Sequence, residues 1–196
     1  MNIRLAHENE TDTIIATIVE KTVTVLSNNK NSDMVINTIK TGLTNLLRET
    51  FMKKYSPQNQ GILLVAVADD DALLAFQGLQ SRPGGKPWIA TPLFKLPECT
   101  EEAANQLQKR ICGSLFASTS INTHVLEQDT EEQKQLLQNG WYDTGATAPL
   151  LPEKDKNPTA GEQTLKLKIF HKPARENFFF ENDMEWEDMY GGNHED

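Results

Sequence analysis

A mixed α/β fold is predicted for this chain of 196 residues. Three observations predict it. Segments with the two-residue or continuous apolar pattern of strands are interleaved with segments of helical period. Two of the strand segments, Gly61–Ala68 and Ala72–Gln80, are joined only by Asp69-Asp70-Asp71, which makes a hairpin and excludes a purely parallel sheet. The later chain alternates helix and strand, as βα units do. The expected architecture is a mixed, mostly antiparallel central sheet flanked by helices, in the order β-α-α-β-β-β-α-β-α-β-β.

Residues 2 to 6 alternate apolar and polar and read as a short strand. From Asp12, residues Ile14, Ile15, Ile18, Val19 and Thr22 follow helical spacing until Ser27–Asn31 breaks it. Ser32 or Asp33 can cap the next helix, because a short side-chain oxygen accepts from the free N–H groups of a first turn. Ile36, Ile39, Leu43, Leu46, Leu47 and Phe51 mark its buried face to about Lys54, and Ser56-Pro57 ends it. Gly61–Ala68 is nearly all apolar, as a strand buried on both faces would be. After the hairpin, Arg82–Pro87 is a loop by composition, and Trp88–Leu96 is the next strand. Pro97 stops it. Thr100 can cap a helix that buries Ala103, Ala104, Leu107, Ile111 and Leu115. Ile121–Leu126 is a strand. Thr130-Glu131-Glu132-Gln133 reads as a capping box for a short helix stopping at Asn139-Gly140. Trp141–Leu150 and Thr164–His171 are the last strands.

The longest uninterrupted apolar run, Ile62–Ala68, is far short of the roughly 20 residues of a membrane-spanning helix. The N-terminus has no apolar run of a secretory signal. Two cysteines, Cys99 and Cys112, cannot make a disulfide framework, and no cysteine–histidine cluster has zinc spacing. No metal site is expected, and a cytoplasmic location suits such thiols. The net charge of −9 is uneven. Residues 176–196 hold eight of the 28 acids and none of the 19 lysines and arginines, so residues 1–175 carry 20 acids against 19 bases. A near-neutral body offers no basic surface for nucleic acid or for an anionic membrane.

Three places, Ile3-Arg4-Leu5-Ala6 with Asp12, Leu93-Phe94-Lys95-Leu96-Pro97-Glu98 and Gly140-Trp141, taken with the element order over roughly residues 2–171, resemble the GNAT superfamily of acyl-CoA-dependent N-acyltransferases. Ile3-Arg4-Leu5-Ala6 followed by Asp12 is similar to that family's opening strand and first helix. Leu93-Phe94-Lys95-Leu96-Pro97-Glu98 resembles the end of its fourth strand. Gly140-Trp141 resembles its Gly-Phe pair after a short helix. The resemblance implies acetyl-CoA as donor, with pantetheine in a gap between the fourth and fifth strands, against the edge at Phe94, Lys95 and Leu96. An N–H there would polarise the thioester carbonyl. It also implies pyrophosphate on free N–H groups at the start of the third helix. The family's loop arginine falls on Thr100, and its two glycines fall on Ala103 and Asn105, around Ala104. The asparagine often found before the fourth helix falls on Asp129. The tyrosine that protonates the leaving thiolate in many members falls on Leu136. Glu101 and Glu102 stand where the phosphates would lie. Acids favour a helix start but repel an anion there.

For a catalytic base, His124 on the fifth strand and Glu127 at its end are candidates, with Tyr142 as the nearest phenol. Cys99 and the Asp69–Asp71 run read as an ordinary thiol and a turn. The expected reaction is acyl transfer to the amine of a small molecule or a protein. The alternative is a catalytically inactive protein of this fold that binds another protein, as the antizymes of ornithine decarboxylase do. The division is a body of residues 1–175 and a tail of residues 176–196. That tail combines its acids with Phe178, Phe179, Phe180, Trp186 and Tyr190, five of the chain's fourteen aromatics. It can pack on the body, dock on a protein partner or neighbouring subunit, or serve as an export signal.

Overall fold

The computed structural model describes residues 1–29, 31–113, 119–151 and 165–174. The tail, Leu115 and Thr164, the first residue of the expected last strand, lie outside them. The strands are β1 (Asn2–Leu5), β2 (Gly61–Val67), β3 (Leu73–Gln80), β4 (Trp88–Ala90), β5 (Phe94–Lys95), β6 (Ile121–Leu126), β7 (Tyr142–Pro149) and β8 (Lys166–Lys172). The helices are α1 (Thr11–Asn28), α2 (Asp33–Lys54), α3 (Glu101–Gly113) and α4 (Thr130–Gln138). Among the described residues the strands make one sheet in the order β1-β2-β3-β4-β6-β8-β7, with β5 pairing β3 off this path. Every pairing is antiparallel except β4 with β6.

Each face of the sheet carries two helices. Ile14 and Ile18 of α1 and Phe51 of α2 pack on Leu63, Val65, Val67 and Phe76. Leu107 and Ile111 of α3 and Leu136 of α4 pack on the other face, against Ala75, Leu79, Val125 and Phe170. Leu107 and Ile111 are fully buried, each contributing roughly 1.5–3 kcal/mol. Neighbouring residues of β6 divide between the two layers, since successive side chains of a strand point to opposite faces. Val125 joins the α3 side and Leu126 the α1 side.

Local chemistry fixes the helix ends. Ser32, not Asp33, caps α2, accepting from the N–H of Val35. For α4 the cap is Asp129, whose carboxylate accepts from the N–H of Glu132, rather than Thr130. A carboxylate one residue earlier captures the donor that the capping box would have used. Gly140 follows α4 at φ 78°, a left-handed conformation that suits glycine at a helix C-terminus. At Gly78 an added Cβ would come within 2.7 Å of the Tyr55 ring, so only glycine lets that ring lie flat on β3.

One element departs from expectation. The strand predicted over Trp88–Leu96 is two strands with a break at Thr91-Pro92-Leu93. Pro92 has no N–H to give to a ladder. Thr91 holds the break in place. Its N–H donates to the Gly78 carbonyl, its hydroxyl accepts from the Gly78 N–H, and its carbonyl accepts from the Gln77 side chain at 2.8 Å. This break is what creates the site.

Candidate functional site

β4 and β6 run in parallel register from Trp88↔Ile121 to Ala90↔Thr123. Beyond that pair they separate. β5 pairs with β3 through Ala75↔Lys95 and Phe76↔Phe94, whereas β6 continues along β8. The result is a fork in the sheet. A cleft of about 900 Å³ lies at it, bounded by Leu93–Pro97 on one arm and by α1, α3 and α4.

The arm at Phe94–Leu96 has a definite polarity. Leu96 donates its N–H to Leu74 at 2.8 Å, so that group is spent on β3. Successive peptide groups of an antiparallel strand point to opposite sides. The N–H and C=O of Lys95 therefore face away from β3, into the fork. All three residues expected at this edge, Phe94, Lys95 and Leu96, line the cleft, and the one whose peptide groups point away from β3 is Lys95. The Phe94 ring is buried and stacks on Phe76 at 4.9 Å.

At the start of α3 one first-turn donor is engaged by a side chain. The Thr100 hydroxyl accepts from the N–H of Ala103 at 3.2 Å. The Glu101 carboxylate enters the cleft wall and pairs with Lys95 Nζ at 3.0 Å. Ala103 is buried against the sheet and is absent from the cleft wall, whereas Ala104 and Asn105 line it. Leu136 of α4 and Asn139, just past its end, also line it, so among the described residues no phenol stands on that wall.

Lys21 crosses the opening from α1. Its Nζ is 2.6 Å from Glu132 and 3.8 Å from Asp129, and it lies 5.5 Å from the centre of the Phe94 ring. Sequence patterning missed this residue, because a lysine beside Glu20 on an amphipathic helix reads as solvated surface. The i+11 spacing of Thr13 to Thr24, with Thr17 and Lys21 between them, was the available signal of a second, polar face.

The structure separates the three acid–base candidates. His124 is the first β6 residue past the last paired position, at the apex of the fork. It alternates with Asn122 and Leu126, and Leu126 packs on α1 and α2, so the imidazole is on that face. Burial first, then the charges of Lys54 and Arg82, hold it below its ordinary value. A neutral imidazole suits a base. Glu127 is exposed at the far end of β6, absent from the cleft wall. Tyr142 is half-exposed on β7, at the other edge of the sheet, with its ring 5.0 Å from His171. His171 in turn shares a 2.6 Å hydrogen bond with Asn122. Cys99 is partly buried, and burial pushes its thiol up, away from thiolate reactivity. Two buried oxygens flank the fork without a partner among the described residues: Gln77 Oε1 and Thr123 Oγ1. Among the described residues no group of carboxylates, histidines and cysteines could hold a metal ion. No described helix is long and apolar enough to cross a membrane.

No protein-family profile and no curated protein matches the chain by sequence. Solved structures do match by fold. The PaiA N-acetyltransferase of Thermoplasma acidophilum, solved in complex with coenzyme A, superposes with a TM-score of 0.54 at 16% identity, covering 88% of this chain and 98% of that one. An N-acetyltransferase from Staphylococcus aureus Mu50 gives 0.54 at 14% identity, covering 88% and 98%. A variant of the spermidine N-acetyltransferase SpeG from Vibrio cholerae gives 0.53 at 11% identity, covering 92% and 97%. The chain has the GNAT fold, with its α/β class and mostly antiparallel sheet.

Proposed function

We propose that the cleft binds the pantetheine arm of an acyl-CoA, acetyl-CoA in the simplest case, and that the protein transfers the acyl group to an amine. The carrying observation is the fork: β4 and β6 part after Ala90↔Thr123, and Lys95, whose peptide edge points away from β3, stands on the wall of the cleft beside it. Pantetheine has two amides, and an unpaired strand edge is the surface that an extended amide chain completes. The N–H of Lys95 would also be placed to polarise a thioester carbonyl.

His124 at the apex is the base in this reading, able to take a proton from an amine approaching over the α1–α2 face. Glu127 and Tyr142 are not assigned roles. Lys95, Ala104 and Asn105 hold the donor, with Phe94 packed beneath. Acceptors would be small amines, as the name of the Vibrio cholerae enzyme indicates for that protein. A cytoplasmic setting, where acyl-CoA is made, fits this chemistry.

A specific observation favours a second reading. At the pyrophosphate end the Thr100 hydroxyl takes the Ala103 N–H, and the Glu101 carboxylate, paired with Lys95, puts negative charge beside the position of an anion. A protein of this fold without donor chemistry would bind a partner instead, through its body or through residues 176–196. Thermal denaturation with millimolar acetyl-CoA separates the readings. A ligand that binds only the native state raises the melting temperature by mass action. A rise, together with thiol release on adding spermidine, supports acyl transfer. A folded protein with an unmoved melting temperature excludes it.

A further inference from the structure

We infer that Lys21 is an internal acyl acceptor, a lysine of this chain that an acyl thioester in the cleft modifies. The inference rests on the thioester-binding reading above. It starts from where the amine hangs. α1 lies on one face of the sheet and α4 on the other, and Lys21 Nζ meets Glu132 of α4 across the opening of the fork. On one side is the Phe94 ring of β5. On the other are Glu132 and Asp129, whose side chains are only 16% and 12% exposed. The lysine side chain itself is 34% exposed, so the amine is within reach of a bound molecule.

N-acyl transfer needs an amine, a base within hydrogen-bond reach of it and an acyl carbon alongside. Lys21 and Glu132 supply the first two at 2.6 Å inside the cleft. Among the paired lysines described, Lys21 is the one whose carboxylate partners are both largely shielded from water. Lys95 pairs with a Glu101 that is 80% exposed, and Lys168 pairs with Asp143 away from the cleft. Glu132 takes a proton from the Lys21 ammonium, and the freed nitrogen pair attacks the thioester carbonyl. The new C–N bond forms, the C–S bond breaks, and the thiol leaves with the second nitrogen proton. The product is an N-acyl-lysine and a free thiol. The positive charge at Nζ is lost, and so are its ion pairs with Glu132 and Asp129.

The test is peptide mass spectrometry of the full chain after incubation with acetyl-CoA, and separately with a small acetyl thioester lacking the nucleotide. Melting temperatures are recorded on the same samples. Lys21 should be acetylated at least about tenfold faster than exposed Lys40 and Lys86, with a rate independent of protein concentration. Glu132→Gln should slow it by about 100-fold, while the thermal shift with acetyl-CoA persists. Lys21→Arg should keep the shift and lose the modification. A clear thermal shift with Lys21 modified no faster than Lys40 overturns the inference and leaves the cleft reading standing. So does an unchanged rate in Glu132→Gln. No shift and no modification by either thioester overturns both.

Discussion

At its inner end the cleft is bounded by strand backbone, and at its outer end by a helix start. At the fork the Lys95 peptide edge is unpaired and two buried oxygens nearby have no partner among the described residues. At the start of α3 the N–H of Ala103 is taken by Thr100, and an acid stands in the first turn beside Lys95. Both ends belong to one fold, yet one presents a strand edge turned away from its ladder and the other a side-chain cap and an acid. Conserving a topology therefore conserves the gap between strands more readily than the groups at a helix terminus. The gap follows from register, whereas the helix terminus follows from a few side chains.

The largest expected effect tests how the outer end is held. Leu107 ties α3 to the sheet and is fully buried. Leu107→Ala should cost about 2–5 kcal/mol in urea denaturation. A loss below about 1 kcal/mol would mean that α3 is not anchored as described.

Reversing the charge at that end should convert it toward the character of the inner one. Glu101→Lys with Glu102→Gly should raise acetyl-CoA affinity by roughly tenfold at low salt, and by less at physiological ionic strength. Titration calorimetry at two salt concentrations checks it. Weakened binding in the double variant would place the phosphates elsewhere.

A smaller effect concerns the cap. Thr100→Ala should lower stability by about 1 kcal/mol, since an N–H of the first turn loses its partner. The same change frees that N–H for an anion, so stability should fall while acetyl-CoA binding does not. Parallel losses in both would make Thr100 a ligand rather than a cap.

The apex of the fork carries its own signature. Burial and the neighbouring cations disfavour the charged form of His124. Above about pH 6.5 the imidazole is neutral in folded and unfolded chains alike. As pH falls below that value the unfolded chain binds the proton more readily, so stability declines until the lower folded value is passed. His124→Gln should show a shallower decline between about pH 7 and 5 in melting temperature. Identical slopes would mean that the imidazole is solvated.

Much of this comparison was legible in the residues. Ile36, Leu43 and Phe51 at helical spacing mark α2, and the run Gly61–Val67 marks a strand with both faces covered. The capped, acidic helix start was legible too, in Thr100 followed by two acids. The fork was not. Trp88–Leu96 reads as one apolar stretch, and its division depends on Thr91 meeting Gly78 and Gln77, residues of a different strand. Pro92 alone was the hint. Lys21 was hidden for a related reason: its partners Asp129 and Glu132 are more than a hundred residues away, and spacing within a helix carries no record of them. His124, chosen from the sequence only as a strand histidine, falls at the apex because of the β4–β6 register, which no local pattern specifies.

The most direct test reads the strand edge itself. Backbone amide resonances of the isotope-labelled chain are followed while acetyl-CoA is added. If the pantetheine completes the edge of β5, the Lys95 amide shifts with saturation, while the Leu96 amide, held by Leu74, moves far less. An unmoved Lys95 amide at saturating acetyl-CoA, whether the remaining amides respond or not, would contradict the claim that this fork is the donor site.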